Sequence, residues 1–432
     1  MKAGIISLGC AKNLVDTENM LGLLKYAGVE ITTDRNEADV IIINTCGFIE
    51  SAKSEAIDTI LETADLKQKN LKKLIVTGCL AQRYKPQLME EMPEVDCFIA
   101  IEEYRQMGTI LSDVLGVKVP NDYGLVPRQL SGKPWMAYLA IGDGCLNRCA
   151  FCAIPLIRGN LKSKDMEEVI HEAQRLADNG VKEITLVAQD CTRYMFDVDH
   201  RSHLGELLVR LDQVKGIHWI RILYMYPDEM EDGLIETIAS CKHVLPYFDI
   251  PTQHGSNAVL KRMRRRTSRE EILARVEKIR SLLPQAVLRT TLITGFPGET
   301  LQEHEETVSL VRAIRWNHLG AFTYSREEGT AAYDMDDNVP QEEKERRRAE
   351  IMEIQDGIAR EILAQQVGEE CEVIVERRDP LTEMYIGRTW MQAPDNVDGV
   401  IRFHALQQHS AGDFVNVRVT KVSGQNLIGE EI

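Results

Sequence analysis

The chain has 432 residues, a formal net charge of −16 and 44% hydrophobic residues. That length suits two or three domains with full cores, and the acidity argues against a protein whose main task is to grip nucleic-acid phosphates. The N-terminus carries no export-type apolar stretch and no apolar run reaches membrane-spanning length, so a cytoplasmic protein without membrane contact is expected.

Three apolar runs of strand length open the chain: Lys2 to Leu8, Asp39 to Asn44 and Lys73 to Thr77. Each is followed at once by a cysteine, in Gly9-Cys10, Thr45-Cys46 and Gly78-Cys79. Helical patterns follow the first two, and alternation of strand and helix predicts a doubly wound parallel sheet over residues 1–118. Such a sheet gathers the carboxyl ends of its strands along one edge, so Cys10, Cys46 and Cys79 are expected to converge there. Three unrelated buried thiols are the alternative, but that reading does not explain why all three fall directly after strands.

A polar, Pro-containing linker leads to a second region, residues 131–366, in which strands and helices alternate. Repeated βα units without a dinucleotide fingerprint predict a full or partial (β/α) barrel with its chemistry at the carboxyl ends of the strands. The loop after the first strand reads Gly144-Cys145-Leu146-Asn147-Arg148-Cys149-Ala150-Phe151-Cys152. This CxxxCxxC spacing supplies three thiolates to a 4Fe-4S cluster and leaves one iron open for a cofactor or substrate. A zinc site is the alternative, and no fourth ligand is spaced to complete it. Gln189-Asp190, Pro251 to Gly255, and Thr294-Gly295-Phe296-Pro297-Gly298-Glu299 lie in corresponding loops and are expected to face the cysteines. His254 reads either as an acid–base group or as a hydrogen-bonded structural histidine. The basic run Lys261 to Arg266 reads as a solvated helix face, or as a lining of the barrel mouth. Cys97, Cys191, Cys241 and Cys371 are isolated and read as buried small hydrophobes.

Residues 341–366 predict a long amphipathic helix, with Ile351, Ile354, Ile358 and Ile362 at helical spacing. From 367 to 432 the pattern alternates between turn residues, predicting a small OB-like β-barrel.

Phe151 before the third cysteine, with Ile154-Pro155 and Arg158-Gly159 behind it, resembles the cluster loop of the radical S-adenosylmethionine enzymes. The resemblance implies that S-adenosylmethionine chelates the open iron and is cleaved by one electron to a deoxyadenosyl radical. It also implies that Phe151, Gln189, Asp190, Gly295 and Glu299 lie on the cofactor side. The last segment resembles the TRAM domain, which generally serves substrate binding, often of RNA. All three domains in this order resemble the methylthiotransferases. That likeness implies two 4Fe-4S clusters, with Cys145, Cys149 and Cys152 on the radical cluster and Cys10, Cys46 and Cys79 on an auxiliary one. S-adenosylmethionine would serve as both methyl donor and radical source. An electron donor such as flavodoxin or ferredoxin and a sulfur donor are implied as partners.

Branches of that family modify either an adenosine of transfer RNA or an aspartate of a ribosomal protein. The stretch Ser7 to Glu18, Cys46-Gly47-Phe48-Ile49, and Val187 to Asp190 continuing to Arg193-Tyr194 resemble the ribosomal-protein branch. The implied substrate is the β-carbon of an aspartate in small-subunit ribosomal protein S-12, free or assembled. Cys191 departs from the branch pattern, which has a hydroxyl residue there. Charge supports the same choice, because residues 367–432 hold eleven Asp and Glu against six Lys and Arg. An acidic module attracts a basic protein and repels RNA. A transfer RNA methylthiotransferase and a non-catalytic iron–sulfur or zinc adaptor remain as alternatives.

Overall fold

The computed structural model describes residues 1–432 except Leu125 and Asn396. Five parallel strands form the first sheet: β1 (Lys2–Ser7), β2 (Glu30–Ile31), β3 (Val40–Thr45), β4 (Lys73–Gly78) and β5 (Cys97–Ile99), in the order β2-β1-β3-β4-β5. Every residue of β3 is buried, as an unbroken apolar run covered on both faces should be. The edge strands β2 and β5 have two and three residues, too few to show a sequence period. Helices α1 (Ala11–Tyr26), α2 (Glu50–Ala64) and α3 (Cys79–Glu91) follow β1, β3 and β4. The third helix was not legible in the sequence because Pro86 lies inside it and Tyr84 breaks it with non-helical angles.

Topology decides where the three cysteines emerge. Strands β1, β3 and β4 are neighbours, in register with Ser7 opposite Asn44 and Thr45 opposite Gly78. Cys10, Cys46 and Cys79 therefore leave adjacent strands at the same edge, with strands spaced roughly 4.8 Å apart. The strand order reverses at β1 and β3, and open α/β sheets bind ligands in the crevice at that reversal.

The central sheet has six parallel strands in chain order: β6 (Met136–Ala140), β9 (Glu183–Val187), β10 (Trp219–Ile222), β11 (Val244–Asp249), β12 (Val287–Thr294) and β13 (His318–Thr323). It curls as a partial barrel without closing. A two-residue antiparallel ladder, β7 (Gly142–Asp143) with β8 (Lys162–Ser163), clasps the base of the cysteine loop. One side of the strands, including Leu139, Ile184, Leu186, Ile220 and Ile222, packs against the surrounding helices. The long helix Gln341–Ala364 buries Ile351 and Ile358 in the same core.

The opposite side of those strands, with Tyr138, Val187, Trp219 and Tyr247, shares a core with the C-terminal module. That module is a closed barrel of β14 (Glu370–Arg378), β15 (Tyr385–Arg388), β16 (Ile401–His404), β17 (Phe414–Ser423) and β18 (Asn426–Glu431). Closure leaves no free strand edge. At its seam, Glu183 is fully buried and receives Arg388 at 2.6 Å and Arg221 at 3.2 Å, while Arg388 also meets Glu376 at 2.6 Å. Two carboxylates and two guanidiniums thus balance one another out of water. Among the described residues, no helix is long and apolar enough to cross a membrane.

Candidate active site

The cysteine loop leaves the central sheet through Gly144, whose φ of +74° is open to glycine and where a Cβ would lie 2.2 Å from the Asn160 carbonyl oxygen. Cys145 and Cys149 are buried and Cys152 is half-buried. Burial pushes the Cys145 thiol up to about 11, with the Asp190 charge adding to it, and the Cys152 thiol up to about 12. Free thiols would thus stay protonated here, and a metal is the agent that ionises such groups. Hydrogen-bond donors already point at the sulfurs. Asn147 donates its backbone N–H to Cys145 at 3.4 Å, Arg265 donates to Cys149 at 3.7 Å, and the Tyr226 hydroxyl lies 3.7 Å from the same sulfur. The Arg265 guanidinium stacks over the Tyr226 ring at 4.1 Å.

The second triad sits at the edge of the N-terminal sheet. Gly9 holds φ at +88°, and a Cβ there would lie 2.9 Å from that of Cys46. Cys10 is exposed, Cys46 half-buried and Cys79 buried. Burial pushes Cys79 up to about 12; the Arg158 charge opposes that rise, and Cys10 and Cys46 add to it. The two triads adjoin, since Cys79 packs with Ala153 and Ile157, directly beyond Cys152. Among the described residues, no three His, Cys, Asp or Glu are drawn tightly enough around a point to hold a single metal ion.

The remaining sequence candidates fall around the first triad. Phe151 is half-buried and joins Ala150, Met263, Phe296 and Tyr324 in a small apolar cluster. Asp190 is buried, and burial pushes its carboxyl up to about 6. It accepts from the Asn147 amide at 2.7 Å and from the Thr192 backbone at 3.0 Å. Gln189 donates to Asp143 at 3.4 Å, and its buried side-chain oxygen has no protein partner. Glu299 turns inward. It accepts from the Gly295 backbone and from Phe296 at 3.2 Å, and meets His254 at 3.3 Å and Arg347 at 3.3 Å. Burial alone would raise its pKa, but His254 and Arg347 hold it below the usual carboxylate range. It fastens the loop whose backbone, from Gly295 (φ +70°) to Gly298 (φ +74°), lines the strand end. His254 is enclosed by Glu299, Thr307 at 3.0 Å and the Ser256 N–H at 3.1 Å, which is a structural setting.

The basic run divides. Lys261 and Arg264 are exposed, as a solvated face would be. Arg262 pairs with Glu303 at 2.8 Å, Arg265 is buried on the radical loop, and Arg266 meets Asp228 at 2.7 Å. Helix covers only Asn257–Arg262, and in the second half of the run Arg265 alone is turned into the site while Arg264 and Arg266 stay exposed.

Sequence profiles match the chain in three places: an uncharacterized protein family, UPF0004, over residues 2–100, the radical SAM superfamily over residues 139–311, and the TRAM domain over residues 367–432. The chain is 45% identical to a protein of Acetivibrio thermocellus named ribosomal protein uS12 methylthiotransferase RimO, across 100% of this chain and 98% of the relative. A protein of the same name from Aquifex aeolicus is 46% identical, across 100% and 97%. The chain belongs to the RimO methylthiotransferase family. Its fold also resembles the radical S-adenosylmethionine methyltransferase TsrM of Kitasatospora setae, with a TM-score of 0.54 at 12% identity over 77% of this chain and 76% of that one.

Sequence reasoning missed several residues that this RimO-family structure places in the site. Asn13, Asp16, Asp143, Tyr226 and Arg265 all touch a triad or its supports. Asp143 had one available signal, its place just before Gly144-Cys145. Arg265 was hidden within a charge run, and Tyr226 belongs to no recognisable pattern. Cys191 is fully buried in the main core, 3.8 Å from the Leu186 carbonyl oxygen, so its departure from the branch pattern lies behind the site.

Proposed function

We propose that the chain methylthiolates the β-carbon of an aspartate in ribosomal protein S-12, with two 4Fe-4S clusters and S-adenosylmethionine. Convergence of two thiol triads from different sheets, adjoining through Cys79 and Ala153, carries the two-cluster reading. When bound, the clusters and S-adenosylmethionine supply a one-electron cleavage to a deoxyadenosyl radical and a carrier for the sulfur that is added. Cys145, Cys149 and Cys152 would hold the first cluster, and Cys10, Cys46 and Cys79 the second. Phe151, Gln189, Asp190, Gly295 and Glu299 would shape the S-adenosylmethionine pocket, Glu299 by fixing the Gly295 backbone and Asp190 by fixing the cysteine loop. The unpaired Gln189 oxygen offers an acceptor to a bound amine.

For the substrate, full-length likeness to relatives named for uS12 is joined by the acidic C-terminal module. Five of its eleven acids are turned toward the central domain: Glu376 with Arg388 at the seam, Asp395 and Asp398 with Arg289, Glu372 with His218 and Asp413 with Lys182. Six acidic and five basic side chains remain outside those contacts, so the attraction for a basic protein rests chiefly on the net charge of −16 of the whole chain. Both an electron donor and a sulfur donor are required, and cytoplasmic placement suits oxygen-sensitive clusters.

The test is anaerobic reconstitution with S-adenosylmethionine, reductant, a sulfur source and purified S-12, reading intact substrate mass. Replacement of one hydrogen by a methylthio group, localised to an aspartate, is expected. Deoxyadenosine without a mass change would reject free S-12 and direct the assay to assembled subunits and then to transfer RNA.

A further inference from the structure

We infer that Arg158 is a positioning residue that locks the two thiol triads into one unit and holds a positive charge beside the Cys79 sulfur. The inference rests on the two-cluster reading. Arg158 lies six residues after Cys152, at the end of the turn Ile154–Ile157, and its side chain is 1% exposed. One end of its guanidinium donates to both oxygens of Asp143 at 3.1 Å, on the strand that opens the radical loop. The other end crosses into the N-terminal domain, donating to Asn13 at 2.7 Å and Asp16 at 2.9 Å, and lies 3.9 Å from the Cys79 sulfur.

The bonds continue in both directions. Asn13 donates to the carbonyls of Leu8 at 2.9 Å and Thr45 at 3.0 Å, the ends of the segments that present Cys10 and Cys46. Asp143 accepts from the Gly144 N–H at 3.0 Å, one residue before Cys145. A single chain of hydrogen bonds thus runs from the backbone of one triad to the backbone of the other, with Arg158 as its middle member. Lys12 completes the set, 3.0 Å from Asp16 and 3.5 Å from Asp143, so that two cations balance two carboxylates at the joint. Without Arg158 the two carboxylates would share one cation, and their repulsion would press the domains apart. Lysine cannot take this place unchanged, because the task needs a planar fork that bonds both ways. A buried charge and an N–H near a cluster sulfur also raise the reduction potential.

Two variants divide the roles: Arg158→Gln removes the charge, and Arg158→Lys keeps the charge but not the fork. Iron and sulfide content of the unaltered chain is measured first. Content for one cluster only overturns the two-cluster reading and this inference together, whereas content for two leaves the inference to stand on its own measurements. Both variants are expected to cleave S-adenosylmethionine, with methylthio product per deoxyadenosine falling by about tenfold or more through misplacement. Hydrogen exchange at the amides of 8–18 and 143–147 should quicken in both. In a background with Cys145, Cys149 and Cys152 replaced by Ala, the midpoint potential of the remaining cluster should drop in Arg158→Gln and stay near the parent value in Arg158→Lys. Should Arg158→Gln shed iron, the product ratio and exchange of Arg158→Lys decide. A parental ratio and parental exchange in Arg158→Lys would overturn the positioning role.

Discussion

The Asn147 amide donates to the Asp190 carboxylate across 2.7 Å, joining the middle of the cysteine loop to the end of β9. The pair is buried, so the geometry of the loop is tied to the protonation of one carboxyl. Burial pushes that carboxyl up to about 6, against about 3.9 in an unfolded chain. A raised acid stabilises the fold fully below the unfolded value, and its contribution is lost as pH rises through the folded value. Between pH 4 and 7 the loss is on the order of 3 kcal/mol. Asp190→Asn should remove this component, so the pH dependence of urea denaturation should differ between parent and variant by that amount. Identical pH profiles would show that Asp190 does not titrate in this window.

Glu299 leads to a prediction of opposite sign. Its carboxylate is held below the ordinary range by His254 and Arg347, so it contributes stability above the unfolded value that is lost on acidification. Glu299→Ala removes one carboxylate from buried Arg347, which keeps Glu343 at 2.7 Å, and from His254, which keeps Thr307 at 3.0 Å, a loss of about 2 kcal/mol. Glu299→Gln keeps an acceptor for the Gly295 N–H and should lose less. Denaturation midpoints give the stability order. The KM for S-adenosylmethionine should rise more in the alanine variant, because the Gly295 loop is no longer held.

What could be read from the sequence follows from what each feature needs. Cys10, Cys46 and Cys79 were placeable together because a parallel sheet turns sequence position into position along one edge. Strand β18 shows no clear period in the sequence, as its NLIGEE run is half-polar and follows β17 after a turn of two residues. Arg158 was visible as part of a motif, but its partners Asn13, Asp16 and Asp143 lie on other elements, and only the fold brings them within 3.1 Å. The inward turn of Glu299 was equally hidden, since Arg347 is 48 residues away. Long-range ion pairs of this kind have no local sequence period.

The seam between the central sheet and the C-terminal barrel yields a third test. Glu183 is the shared carboxylate of Arg388 and Arg221, all with side chains at 0% exposure. Glu183→Ala strands Arg221 and leaves Arg388 with Glu376 alone, and should cost about 3 kcal/mol. The barrel should then release from the sheet, and limited proteolysis should cut between Ala364 and Glu370 sooner than in the parent. A double change to apolar residues at Glu183 and Arg388 should recover part of the loss.

Charge on the barrel gives a fourth. Glu370 and Glu383 have side chains 55% and 78% exposed, with Arg418 and Arg378 as their partners. Changing both to Lys should weaken binding of S-12, and the loss should be larger at low salt than at high salt, because screening sets in over about 10 Å at 0.1 M. Equal affinity at both ionic strengths would remove the electrostatic argument for a basic protein partner and leave shape alone to explain the choice.

The two triads should fail in different ways. Cys149 lies within the loop that Arg265 and Tyr226 surround, and Cys149→Ala should abolish deoxyadenosine release together with methylthio transfer. Cys46 stands on the other sheet, near Cys10. Cys46→Ala should lower iron content by about one cluster's share yet still release deoxyadenosine when S-adenosylmethionine and reductant are supplied, while S-12 gains no methylthio group. Deoxyadenosine and product mass, read from the same reaction, separate the steps. Methylthiolation at the parental level in Cys46→Ala would mean that sulfur reaches the substrate without the N-terminal triad, and the division of labour between the two sheets would fall.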